Sequence, residues 1–592
     1  MLSRTSLPVL LVLALSLAGA LLPSAASAAA ACHQDGAASV WTAPLRPKPG
    51  EPLDIMAVAT DGALDQVQVT DGAGQRSTLR TTSTGGPPWG LAGSVSWTRA
   101  GTYRIEALRG GRVAACAEVQ VGGGEGRRSS GEWDLATTAF FSAWVERLFD
   151  APPDQSLSFD SLTPVLRNPQ RNFLFNFLGA GEDRQLTAEP DCADLPYYLR
   201  AYFAWKLGLP IAYRPCSRGS RTSAPRCQGS QLDSAFVGSP ASAAEFRGVS
   251  RHIMDVIHSG SGRTDLRDES TDIYPVALQR ATLWPGTIYA DPYGHVMVLV
   301  KWIAQRPGEP GLLLAVDAQP DNSVARKRFW EGTFLFADTP SAGPGFKAFR
   351  PLVRSGGGLR LLSNSALGSG TGLPPFSLEQ QGLAPADFYA RMERAINPQG
   401  LDPEAAHGAT LEALMEQLKT RVDSVAKGEA YMRAHPGTTI PMPSGPAIFE
   451  TVGPWEDFAT PSRDMRLLIA LNVLEGLPAR IRRYPDLYVL RGERPAEAAA
   501  RIEQLQAQRL DQQAVSYTRT DGSAQRLSLR DIYARRAGLE MAYNPNDCIE
   551  RRWGASPSTA DYATCHRQAS LEQRARMEDY RPWFHEARRP PR

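Results

Sequence analysis

The chain has 592 residues with 64 basic and 62 acidic side chains, a net charge of +2, so no global field steers it toward nucleic acid or anionic lipid. A chain this long exceeds one hydrophobic core and divides into about three or four units of ordinary domain size. With 42% apolar and 21% charged residues it is neither disordered nor fibrous in type, while enzyme and binding protein stay equally open.

Taken in chain order, Arg4 precedes an apolar run over 7–22 and a small-residue stretch over 24–31, the layout of a secretory signal peptide. Ala26 and Ala28 fit an A-x-A cleavage site, so cleavage near Ala28 and a secreted or periplasmic mature chain are expected, with lipidation at Cys32 as the alternative. No later stretch is apolar for the ~18 residues a membrane span needs, the run over 467–474 being the best.

Export changes how the seven cysteines are read, because thiols in an oxidising compartment pair. Cys32 and Cys116 bracket a β-rich segment, and Cys216 with Cys227 and Cys548 with Cys565 each enclose a polar loop. Proximity thus pairs six and leaves Cys192, which is then a reactive thiol, an intermolecular link or an inert buried residue.

From 41 to 121, short alternating segments at 53–60, 66–70, 77–82, 94–98, 102–108 and 113–121 are broken by turn residues, the pattern of a β-sandwich over 32–122. The run GGGEGRRSSG that follows predicts a flexible linker over 123–131. Residues 132–350 mix helices and strands. Asp191 is placed to cap a helix that starts at Cys192, runs through Leu195, Leu199, Tyr202 and Trp205, and stops at Gly208 before Pro210. Segments 287–289, 295–302 and 312–316 read as three strands of one antiparallel meander, with DPYG at 291–294 as the first turn. A Gly/Ser/Pro-rich stretch predicts a second linker over 351–375, and helices dominate 376–592. There Leu411, Met415, Leu418, Val422 and Val425 form a packing stripe, Thr460-Pro461 opens a helix through Leu474, and 496–513 is another helix. A hairpin centred on Asp521-Gly522 is followed by a Ser528/Asp531 capping box.

The residues that carry chemistry start with Cys192. A thiol at a helix N-terminus is expected to ionise more easily, because unpaired N–H groups present partial positive charge. A base is then needed to take its proton, and His295, at a strand start after a glycine-bearing turn, is the best placed of the eight histidines. Asp317, at the end of the next strand, is positioned to orient that imidazole. The Cys192 backbone N–H, with Gln185 or Tyr293 as side-chain donors, is the expected oxyanion site. Arg326-Lys327-Arg328 is read first as a solvated run and second as a group meeting an anionic substrate, and the Trp- and charge-rich GPWEDFATPSRD at 453–464 first as a helix entry whose Trp455 packs in the core and second as lining a cleft. The acidic patch of Asp265, Asp268, Glu269 and Asp272 reads as a solvated loop, and no metal or nucleotide motif is present, so no metal and no cofactor are expected.

DCADL at 191–195, opening a helix that ends in GLP at 208–210, resembles the nucleophile helix of the NlpC/P60 and CHAP group of papain-like cell-wall hydrolases. PGTIY at 285–289 and GHV at 294–296 resemble that group's general-base strand. The resemblance implies Cys192 as nucleophile, His295 as base, Asp317 as orienting group, and a peptide or peptidoglycan-like substrate cleaved at an amide bond. Asp194 departs from the small residue usual after the cysteine motif, and Thr287 stands where the group has Asp. GLPIAY at 208–213 and Val316-Asp317 also resemble a transglutaminase-like core, without that family's aromatic and acidic residues after the histidine. PKPGEPL at 47–53 and AGTYRI at 100–105 are similar to bacterial immunoglobulin-like modules. The expected fold class is therefore multi-domain: an N-terminal β-sandwich, a central α+β papain-like domain with an antiparallel sheet, and a mostly helical C-terminal region. The rivals to a hydrolase are a catalytically silent scaffold that binds envelope partners and a transglutaminase-like acyl transferase; the oligomeric state is left open.

Overall fold

The structure is a computed structural model describing Cys32 and residues 36–590, apart from 98, 125, 127, 221, 230, 234, 239, 320, 338, 340, 369, 450–452 and the side chains of 231–233. The expected signal peptide lies outside the described residues. The molecule is multi-domain, built from several antiparallel sheets and helices. Among the described residues no helix is long and apolar enough to cross a membrane.

Eight strands between residues 38 and 121 form two four-stranded sheets. One orders Ala38–Ala43, Pro52–Ala59, Trp89–Ser96 and Thr82–Ser83; the other orders Arg76–Leu79, Gln66–Thr70, Gly101–Arg109 and Arg112–Val121. All pairings are antiparallel. Alternation works as expected in Gln66–Thr70, where Val67 and Val69 are buried and the polar residues between them are not. Val40, Ile55, Val67, Ile105 and Val119 share one core. The strand Ala38–Ala43 was not anticipated from sequence in full. It is buried almost throughout, because Trp41 leaves that core and stacks on Phe140 with ring centroids 4.5 Å apart.

Trp41, Met56 and Val58 belong to the same apolar cluster as helix α1 (Leu135–Leu148) and helix α2 (Asp194–Leu207). The segment expected to be a flexible linker is tied down: the Gly126 N–H donates to the Leu45 carbonyl at 2.7 Å, and the Ser129 hydroxyl to that of Leu207 at 2.8 Å. The second expected linker carries a hairpin, Leu352–Ser355 with Gly358–Leu361, and buries Leu352, Leu367 and Leu373.

The central sheet has seven antiparallel strands. Its middle is the meander β1 (Ile288–Ala290), β2 (Val296–Ile303), β3 (Leu312–Ala318) and β4 (Val324–Arg328). Both faces are covered, which is why β2 reads as a continuous apolar run rather than an alternating one. Val296, Val298 and Val300 face the cluster of α1 and α2; Met297 and Leu299 face a second cluster that includes Phe388 and Met392 of the helix Pro385–Ile396. Phe388 is fully buried, and its truncation to Ala carries a cost of about 3–5 kcal/mol at such a site.

The C-terminal helices pack around a separate core. Leu411, Leu418 and Val425 of the helix Pro403–Ala434 meet Leu467, Leu468 and Leu471 of helix α3 (Pro461–Arg483). Helix α3 runs well past Leu474 and through Pro478, because Leu477 and Ile481 find a further apolar partner surface in Ala498, Ala499 and Ile502. The hairpin at Asp521-Gly522 and the Ser528/Asp531 capping box are present.

Candidate functional site

The three disulfides join Cys32 to Cys116, Cys216 to Cys227 and Cys548 to Cys565, and Cys192 is the free thiol. It stands in the turn just ahead of α2. Asp191 builds that turn: its Oδ1 accepts from the N–H groups of Ala193 (2.8 Å) and Asp194 (2.9 Å), and its carbonyl accepts from Leu195 at 3.0 Å. Helix α2 begins at Asp194, two residues later than the sequence suggests, and ends at Gly208, whose φ of 69° suits the left-handed stop.

The imidazole is held by a second built turn. Asp291 Oδ1 accepts from the N–H of Tyr293 at 2.6 Å, and the Asp291 N–H donates to the His295 carbonyl at 2.9 Å. Gly294 takes the positive φ of 110° that closes the turn. His295 then bonds Asp317 through Nε2, 2.6 Å from Oδ2. The same Oδ2 accepts from Gln319 Nε2 at 2.7 Å and from the Lys327 ammonium. Asp317 is fully buried, and its Oδ1 makes no hydrogen bond. Burial works against its charge, yet Lys327 and His295 together hold its carboxyl well below the ordinary carboxylate range. Burial lowers the imidazole below its usual range, against the pull of Asp317, so the ring is neutral near neutral pH.

The sulfur meets this assembly at the sheet's end, where the backbone N–H of Val296 is hydrogen-bonded to it. Hence Cys192, His295 and Asp317 converge, but not as a closed chain: no hydrogen bond joins the sulfur to the ring. Strand alternation gives the reason. His295 shares its face with Met297 and Leu299, and Asp317 with Ala315, whereas Val296 and Val316 face α2.

The thiol's ionisation is the reverse of the helix-terminus expectation. Burial, then the neighbouring Asp191 carboxylate, pushes the Cys192 thiol up to about 12, with Asp317 and Asp194 adding to it. Asp194 is itself 7% exposed, hydrogen-bonded to Asp191, and pushed up to about 8 by burial and by that neighbour. The Asp191 and Asp194 carboxyls therefore set the local electrostatics of this turn.

Of the expected oxyanion donors, Gln185 is exposed on a turn and no hydrogen bond joins it to the site. Tyr293 is half-buried, and its phenol is hydrogen-bonded to Arg588. Asp272 faces Arg214 (3.2 Å) instead of lying in a solvated loop, and burial pushes it up to about 6.

Several charged groups at the site were read from sequence only as second choices. In Arg326-Lys327-Arg328 the period of two splits the run: Arg326 donates to the carbonyls of Ala151 and Pro152, Arg328 lies 3.7 Å from Glu416, and Lys327 turns to Asp317. From 453–464, Trp455 packs in the C-terminal core, as a helix entry would have it. Yet Glu456 lies within electrostatic reach of Asp191, and Arg463 within reach of Asp317. Arg466, one turn along α3, sits 3.5 Å from Asp291 Oδ2. The sequence signal was that charge-rich segment; what it lacked was any sign of which strand end it would cover.

Comparison with known proteins finds no match, whether against protein families, curated proteins or solved structures.

Proposed function

We propose that this chain is an exported thiol hydrolase that cleaves amide bonds in cell-envelope peptides, with Cys192 as nucleophile, His295 as base and Asp317 as its orienting group. The carrying observation is that Cys192, unpaired and half-buried as a residue, lies against the strand end that bears an imidazole bonded to a buried carboxylate. In this reading the N-terminal sheets form an immunoglobulin-like sandwich and the central sheet with α2 a papain-like core. Three disulfides fit an extracellular or periplasmic setting.

Because Nε2 is engaged by Asp317, Nδ1 is the nitrogen that takes a proton. The resting pair is neutral thiol and neutral imidazole, so proton transfer accompanies attack instead of preceding it. Attack requires the sulfur to come within hydrogen-bond reach of Nδ1 while Nε2 keeps its bond to Asp317. Sulfur then adds to the carbonyl carbon as its proton moves to Nδ1; the amine leaves with that proton, and water cleaves the thioester to acid and free thiol.

A second reading, a catalytically silent scaffold, is favoured by the thiol held up at about 12 and by the ring's orientation toward the opposite face. Iodoacetamide labelling followed by mass spectrometry separates the two, since Cys192 is the free thiol. A hydrolase site gives a labelling rate near neutral pH that falls about a hundredfold in His295→Ala, the worth of a general base. Labelling slower than that of a simple thiol and indifferent to His295→Ala selects the scaffold.

A further inference from the structure

Three cations gather on the side of the site away from α2. Lys327 comes from β4, and Arg463 and Arg466 come from the first turns of α3. Each acts electrostatically on the others or on the His295–Asp317 pair: Arg466 on His295 and Lys327, Arg463 on Lys327 and Asp317. Like charges brought together and partly desolvated are unfavourable unless counter-charge is supplied.

The counter-charge present is incomplete. Asp317 is taken by His295, Gln319 and Lys327. Asp464, next to Arg463 in sequence, is engaged by both arms of Arg421, each at 2.9 Å. Asp291 lies 3.5 Å from Arg466 but forms no hydrogen bond with it, and the Nε and Nη2 of Arg466 are buried without an acceptor. Arg463 has Asp321 and Asp317 only at a distance, with no hydrogen bond or contact ion pair to either. Buried donors without acceptors are costly and call for an explanation. Lys327, with 34% of its side chain exposed, and the half-buried Arg463 leave the group open to solvent.

The opposite side of the thiol has the opposite sign. Asp191, Asp194 and Glu456 interact there, and burial raises both Asp194 and Glu456. The charges around the thiol are thus of two signs, acidic from Asp191, Asp194 and Glu456 and basic from Lys327, Arg463 and Arg466.

We infer that Lys327, Arg463 and Arg466 form a carboxylate-recognition site, so the C-terminal helices select amide substrates that carry a carboxylate on the His295 side of the scissile bond. A carboxylate supplies the planar acceptor pair that guanidinium groups engage bidentately. The substrate role rests on the hydrolase reading; the anion preference does not.

Two small alkylating agents that differ in charge test it. Iodoacetate and iodoacetamide deliver the same carbon to Cys192, displacing iodide and losing the thiol proton, so the ratio of their rates reports the field at the sulfur whatever the absolute rate. The expected ratio exceeds that of a simple thiol in the same buffer by about tenfold, and falls toward it as salt rises. Arg463→Gln lowers it several-fold, Arg463→Gln with Arg466→Gln abolishes the excess, and Arg463→Lys retains most of it. Thermal melts identify a variant that fails to fold; Arg463→Gln alone then carries the comparison. A ratio equal to that of the simple thiol, or one unmoved by Arg463→Gln in folded protein, overturns the carboxylate site. A raised, arginine-dependent ratio in a protein whose labelling ignores His295→Ala upholds the anion site and overturns the hydrolase.

Discussion

Two ionic clusters lie near the two ends of α2, one closed and one open to solvent, and they are built on opposite plans. At the C-terminal end, Lys206 donates to Glu182 at 2.7 Å and to Asp183 at 2.6 Å. The N–H groups of Leu178 and Ala180 fill the oxygens of Glu182, while Tyr202 and the N–H of Asn176 fill those of Asp183. Asn172 continues the chain to Tyr202 and Trp144. At the N-terminal end, Asp194 Oδ1, Asp317 Oδ1, Asp291 Oδ2 and the Arg466 donors lack hydrogen-bond partners. A saturated cluster has one low-energy arrangement and holds a fold; an unsaturated one keeps capacity for a proton or a ligand.

The largest expected effect breaks the saturated end. Lys206→Met leaves two carboxylates buried together and lowers unfolding stability by about 3–5 kcal/mol, measured by denaturant titration. A loss under about 1 kcal/mol would show that the cluster is looser than its hydrogen bonds imply.

Next comes the acidic side of the open end. Asp194 has a folded-state pKa raised to about 8 from 3.8, so its proton stabilises the fold fully below about pH 4, and that contribution is lost as pH rises to about 8. Asp194→Asn removes the dependence: it should match the natural chain in acid and exceed it by about 2 kcal/mol in mild alkali, discounted for partial solvation. Once ionised, the Asp194 carboxyl also raises the Cys192 thiol, so in mild alkali the variant's iodoacetamide labelling accelerates about threefold, with little change at neutral pH. A stability difference that is constant with pH contradicts the assignment.

The smallest stability effect is expected at Lys327, whose side chain is one-third exposed. Lys327→Met costs about 1 kcal/mol or less, because the Asp317 carboxylate keeps its hydrogen bonds from His295 and Gln319. Its sharper readout is kinetic: the iodoacetate preference falls about threefold while the melt barely moves. Were Lys327→Met as damaging to stability as Lys206→Met, the contrast between the two ends would disappear.

Local chemistry made much of this legible beforehand. Gly208, Asp191 and the DPYG turn announce themselves, because a left-handed stop, a side-chain cap and a tight turn each need particular residues within a few positions. The strands β1 to β3 were placed within a residue or two by their apolar runs, and the longer reach of α3 was missed because Pro478 and the contacts of Leu477 and Ile481 are not local signals. Reading a helix start as a lowered thiol pKa failed for a related reason. The N–H groups ahead of α2 are occupied by Asp191, and that same carboxylate then raises the neighbouring sulfur.

By itself the sequence determined which cysteine has no nearby mate, where the turns and caps fall, and which strands alternate, since each depends on neighbours along the chain. Only the tertiary structure decided which face of the sheet His295 takes, that Lys327 points the other way from Arg326 and Arg328, and that Arg463 and Arg466 arrive beside Asp317 from a distant helix. Electrostatics acts through space, so the charge around a thiol is set by whatever folds against it, however far away in the chain that group begins.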